Sequence, residues 1–117
     1  MVLQRTVKAG DQYYIKHLTI INCLFPDAMT MTEKEINVLA AFMEIKGEIV
    51  EDDRFNSIVR KKVMKKVGLS SAGISNYLKS LIEKNMLLKN EFSNRITVQD
   101  FLVPQDNNQA YQFKITL

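Results

Sequence analysis

The apolar positions of this chain change period part-way along it. Val2 to Lys8 and Gln12 to Phe25 are rich in Val, Ile, Thr, Tyr and Leu, with turn chemistry in Ala9-Gly10-Asp11 between them. That pattern predicts two strands forming an N-terminal β-hairpin, ended by Pro26-Asp27. From Thr32 the spacing becomes helical. Thr32-Glu33-Lys34-Glu35 fits a capping box, in which the Thr hydroxyl and the Glu carboxylate each satisfy a backbone N–H that the first turn leaves without a partner. Ile36, Leu39, Ala40 and Met43 follow on one face, and Val38, Phe42 and Ile45 make a second apolar stripe. A helix apolar on two sides is expected to be sandwiched, here between the rest of the domain and either the N-terminal hairpin or a second subunit.

Lys46-Gly47 ends that helix, and Glu48 to Phe55 is a connection with room for a short strand. A second helix is predicted from Asn56 or Ser57 to Val67. Its buried side is Val59, Val63, Met64 and Val67, and Gly68 stands where a left-handed C-cap is expected. Lys61, Lys62, Lys65 and Lys66 share the opposite side, with Ile58 an exposed apolar residue among them. A third helix starts at Ser70 or Ser71 and runs to Lys84, with Ile74, Tyr77, Leu78, Leu81 and Ile82 along one arc. Asn85 closes it in the left-handed conformation. Met86-Leu87-Leu88 reads as a strand, and Ile96 to Val103 and Ala110 to Leu117 as two more around the polar segment Pro104 to Gln109. The predicted class is α+β, in the order hairpin, three helices, hairpin.

At 117 residues and 46% hydrophobic, the chain is long and apolar enough for one domain with its own core. A single cysteine excludes an intrachain disulfide and suits a reducing cytoplasm. Met-Val-Leu-Gln-Arg carries no signal-peptide pattern, and no apolar run approaches the ~20 residues of a bilayer span. A soluble, cytoplasmic domain without a membrane partner is expected. The net charge of +3 hides an uneven distribution. Thr32 to Asp53 holds seven acids against two bases, whereas Arg54 to Lys89 holds nine bases against one acid. The second stretch builds a field that attracts polyanions, or else it is a solvated lysine face.

The connection Gly68-Leu69-Ser70 leads into Ser71-Ala72-Gly73-Ile74-Ser75-Asn76-Tyr77-Leu78, followed by Leu78-Lys79-Ser80-Leu81 and Asn85-Met86-Leu87. This segment resembles the winged helix-turn-helix family, as in MarR-like regulators and the initiator proteins of plasmid replication. The likeness runs from Thr30 to Leu117 and is strongest from Val67 to Leu88. It implies a helical core with the helix-turn-helix (30–88) and a C-terminal hairpin wing (89–117). The N-terminal β extension (1–27) lies outside the likeness and is added to these as part of one winged-helix domain over residues 1–117. The likeness also implies binding of double-stranded DNA, as a small transcriptional regulator or replication-associated protein of a bacterium, plasmid or phage. A homodimer or a larger protein assembly is compatible with the family.

On the third helix, Ala72, Ser75, Asn76, Lys79, Ser80 and Glu83 lie opposite the apolar arc. Small and polar residues near a helix N-terminus let it approach base edges in a major groove. Asn76 offers the donor and acceptor that a bidentate contact to adenine needs, and Ser71 and Ser75 can bond bases or phosphates. Lys61, Lys62, Lys65 and Lys66 would hold backbone phosphates from the preceding helix. Many members of the family carry Arg where Asn76 stands, and the predicted wing has Asp100 and Asp106 but no Lys or Arg between Ile96 and Tyr111. The competing reading is a winged helix used as a structural or adaptor subunit in a viral or replication assembly.

No catalytic residue, metal or cofactor is expected. His17 is the single histidine, so neither a histidine metal cluster nor a Ser-His-Asp triad can be built. Cys23 sits in an apolar run and is expected to be buried. Glu51-Asp52-Asp53 reads as a solvated loop that favours the N-terminus of the next helix. Met29 and Met31 have no Cys or His nearby to complete a soft metal site, and Met43, Met64 and Met86 fall where core filling is expected. Phosphate-binding Gly-rich loops and nucleophile elbows are missing from the sequence.

Overall fold

The capping box forms as its chemistry dictates. Thr32 Oγ1 accepts from the Glu35 N–H (3.2 Å), and Glu35 Oε1 accepts from the Thr32 N–H (2.8 Å). A computed structural model describes residues 2–8, 12–104 and 108–114, with side chains from 12 to 104. The elements are β1 (Val2–Lys8), α1 (Tyr13–Asn22), α2 (Glu33–Glu44), α3 (Ser57–Val67), α4 (Ser71–Glu83), β2 (Leu87–Lys89), β3 (Ile96–Val98) and β4 (Asn108–Lys114). The class is α+β: four helices with a short antiparallel hairpin of β2 and β3, and a second antiparallel pair of β1 and β4.

The helix sandwiched on two sides is α2, and it is the centre of the core. Ile36, Val38, Leu39, Ala40, Ala41, Phe42 and Met43 are all buried, and α1, α3 and α4 each pack on it. Phe42 meets Phe55 with ring centroids 4.7 Å apart. The methionines predicted to fill core do so at Met43 and Met86, with Met64 half-buried. Arg54 closes the C-terminal end of α2. Its Nη1 donates to the carbonyls of Phe42 (2.9 Å) and Ile45 (2.8 Å), acceptors that the helix itself leaves open. The connection that follows holds a 3-10 turn, Glu48–Val50, in place of a strand.

The N-terminal hairpin does not form. Its second strand is the helix α1, and the predicted turn at Ala9-Gly10-Asp11 lies outside the described residues. Tyr, Ile and Thr favour strands as isolated residues, but packing overrides that preference. Tyr13, His17 and Ile20 repeat at helical spacing, as do Tyr14, Leu18 and Ile21, and Leu18 is fully buried in the shared core. The partner of β1 is β4, with Val2 opposite Lys114 and Lys8 opposite Asn108. Cys23 is exposed at the end of α1, where the helical turn puts its Sγ on the solvent side, donating to the Thr19 carbonyl (3.4 Å).

The C-terminal hairpin is also placed differently from the prediction. Its strands are β2 and β3, with Leu87 opposite Val98 and Lys89 opposite Ile96. Asn90 and Asn94 supply the turn. Asn90 Oδ1 accepts from the Phe92 N–H (2.8 Å) and the Ser93 N–H (3.1 Å), and Asn94 takes the left-handed conformation at φ 58°. The predicted strand from Ile96 stops at Val98 because Asp100–Leu102 forms a 3-10 turn. Residues 105–107 and 115–117, parts of the predicted wing, lie outside the described residues. No described helix is long and apolar enough to cross a membrane.

Candidate nucleic-acid interface

The caps of α3 and α4 fix where this face begins and ends. Asn56 Oδ1 accepts from the Val59 N–H (3.0 Å) to start α3, and Gly68 ends it at φ 70° with its N–H on the Met64 carbonyl (2.9 Å). Ser70 Oγ then accepts from the Gly73 N–H (3.1 Å) to start α4. Only Gly68, Leu69 and Ser70 separate the two helices, and the helices pack on each other.

Val59 and Val63 bury the inner side of α3, and Lys61, Lys62, Lys65 and Lys66 are exposed on the outer side. Ile58 is exposed beside them, as its position in the sequence implies. Lys66 makes an ion pair with Glu44 of α2, which leaves Lys61, Lys62 and Lys65 as the lysines of this side with no carboxylate partner among the described residues. Lys65 and Lys66 stand in the last turn of α3, where positive charge also complements the helix dipole.

On α4, Ile74, Leu78 and Leu81 are buried, whereas Ser71, Ala72, Ser75, Asn76 and Lys79 are all exposed. The nine residues predicted to meet DNA therefore occupy the outer faces of two adjacent helices. Ser80 does not belong with them. It is half-buried, and its Oγ donates to Glu35 Oε2 (2.6 Å). Lys84 donates to the other oxygen of the same carboxylate, so the buried Glu35 ties the end of α4 to the start of α2. Burial alone would raise the Glu35 carboxyl. The hydrogen bonds from Lys84, Ser80 and the Thr32 N–H together outweigh it and hold the group below the ordinary glutamate range.

His17 is buried on α1, with Nε2 donating to the Leu102 carbonyl (2.7 Å). Burial pushes its pKa down, opposed in part by that hydrogen bond. No cluster of three or more metal-ligating side chains exists among the described residues.

Sequence reasoning misses the cations of the hairpin. With the strands at β2 and β3, Lys89 and Arg95 flank the turn and are exposed, and Phe92 at its tip is 98% exposed. The signal that could have found them is Asn90 and Asn94, two turn-forming residues between short apolar runs. Comparison with protein-family models, with curated proteins and with solved structures finds no match to this chain.

Proposed function

We propose that this chain is a winged-helix protein that binds double-stranded DNA, as a small transcriptional regulator or a replication-associated protein. In this reading α4 enters the major groove, α3 holds the phosphates, and the β2–β3 hairpin is the wing. The observation that carries it is the pairing of two outer faces across a three-residue connection. One presents exposed lysines, and the other presents Ser71, Ala72, Ser75 and Asn76, small and polar residues at a helix N-terminus. Lys89 and Arg95 give the wing the positive charge that minor-groove contact favours.

The test is a salt-titrated binding assay on mixed-sequence duplex DNA. Lys61→Ala with Lys65→Ala is expected to weaken binding to all sequences alike. It is also expected to flatten the log–log salt slope by about 0.9 for each phosphate no longer neutralised. An unchanged slope overturns the phosphate role. A structural or adaptor role is the second reading, and Phe92 favours it, because a fully exposed aromatic ring on an ordered turn is a natural protein contact. Selection of bound duplexes from a random pool separates the two. An enriched sequence supports DNA recognition, and no enrichment together with loss of binding near physiological salt supports the adaptor.

A further inference from the structure

One edge of the β2–β3 hairpin has no partner among the described residues, and its location gives it a use. In an antiparallel pair, opposed residues alternate between exchanging both backbone hydrogen bonds and exchanging none. Asn90 N–H donates to Arg95 O (2.8 Å), and Gln99 N–H donates to Met86 O (3.1 Å). These fix the parity: Leu88 and Thr97 form the bonded pair between them, and Leu87–Val98 and Lys89–Ile96 are non-bonded pairs. The backbone N–H and C=O of Ile96 and Val98 therefore point away from β2. The sheet has two strands, and no backbone group of the described residues meets this outer edge.

That edge borders a cavity of about 300 Å³, and the four consecutive residues Arg95 to Val98 all line it. Val50 and Phe55 give it an apolar floor, and Lys46, Arg54 and Arg95 give it three cations. None of the residues around it is Asp or Glu, and among the described residues no carboxylate pairs with any of the three. Lys46 instead stands 4.8 Å from the centre of the Tyr14 ring, and Arg54 spends Nη1 on the end of α2.

We propose that β3 receives an extended, acidic segment of a partner protein as a third strand, its carboxylates meeting Lys46, Arg54 and Arg95. Outward N–H and C=O groups two residues apart repeat at the spacing of a β-strand, and main-chain pairing of this kind supplies affinity without needing a deep pocket. A second copy of this chain laid edge to edge would bring the two cationic triads together, so the charge favours an unlike partner. The site shares Arg95 and the hairpin with the DNA-binding reading but rests on a different observation, the outer edge of β3 and the cavity beside it, so it stands whether or not α4 binds DNA.

The experiment uses the full chain, labelled with ¹⁵N, and an acetylated, amidated hexapeptide Glu-Val-Thr-Val-Glu-Val. Binding is expected to shift the Ile96 and Val98 amides and slow their hydrogen exchange, while Thr97, already bonded to β2, changes little. Replacing both Glu of the peptide by Lys, or methylating its edge-facing amides, is expected to weaken binding by about tenfold or more. Val98→Pro removes one outward N–H without touching the β2 pairing and is expected to abolish the effect. Should that variant not fold, Lys46→Glu with Arg95→Glu, both at positions open to solvent, is expected to give the same loss. Equal binding of the lysine or methylated peptide overturns the proposal, as does no binding at about 1 mM. Slow exchange of Ile96 and Val98 in the free chain also overturns it, because the chain would then cover its own edge.

Discussion

The two ends of α4 are held in opposite ways. Its C-terminal half is buried at Leu78 and Leu81 and tied through Ser80 and Lys84 to the carboxylate of Glu35. Its N-terminal half buries only Ile74 and turns Ser71, Ala72, Ser75 and Asn76 outward. One end anchors and the other presents. A helix fixed at its far end holds the near end in a defined place without covering it, which is what a rigidly displayed recognition surface requires.

The comparison makes the two halves respond differently to substitution. At the anchored end, Leu81→Ala removes a side chain with no exposure and is expected to cost about 2–5 kcal/mol in chemical denaturation. Glu35→Ala removes an N-cap partner and leaves Lys84 and Ser80 without their acceptor, an expected loss of about 2–3 kcal/mol. Glu35→Gln sharpens the point, since glutamine preserves the capping geometry but not the charge. Because Glu35 is held below its ordinary range, the unfolded chain takes up its proton first as pH falls. Stability from Glu35 is therefore complete above the ordinary glutamate range and declines below it, and Glu35→Gln is expected to flatten that acid limb of the pH–stability curve. His17 adds a decline beginning higher, as pH drops below about 6.5, because its folded pKa is lowered while the unfolded ring protonates normally.

Between the two halves and α3, Gly68→Ala is expected to cost about 1–2 kcal/mol. A Cβ there meets nothing, so the loss comes from the left-handed backbone alone. At the presenting end, Asn76→Ala is expected to change stability by no more than about 0.5 kcal/mol, measured by thermal melting. On a selected DNA site the same change is expected to weaken binding by about 1–3 kcal/mol, while non-specific binding stays near its original level. A large loss of stability at Asn76, or a small one at Glu35, would reverse the assignment of the two ends.

What can be read in the sequence follows the range of the interactions involved. The starts of α2, α3 and α4 rest on cap side chains three residues from the backbone N–H groups they satisfy, and the stops at Gly68 and Asn85 on residues that tolerate a left-handed backbone. Those are legible. The outward face of α3 and α4 is legible too, because a regular period assigns it. Glu35, however, is 45 residues from Ser80 and 49 from Lys84, and only its capping role is local. Periodicity therefore puts Ser80 on the exposed face. The segment Tyr13 to Asn22 carries strand-forming residues, and its helix exists because α2 offers an apolar surface to cover. The hairpin lies earlier than expected because the apolar run from Ile96 suggests a long strand, whereas the turn chemistry stands before it at Asn90 and Asn94.

The pairing of β1 with β4 bears on the order in which this chain assembles. Its nearest partners in sequence, Lys8 and Asn108, are 100 residues apart, whereas the contacts between α3 and α4 are nearly local. In an open chain such a closure is slow, because the entropy of a long loop must be lost before any bond forms. Once α1 to α4 have collapsed around Phe42, the two segments are already near each other and the closure becomes short. The terminal strands thus act as a clasp fastened after the helices. Amides of this pair are expected to exchange through a partial opening that leaves the helical core protected, the signature of a separate, weaker cooperative unit.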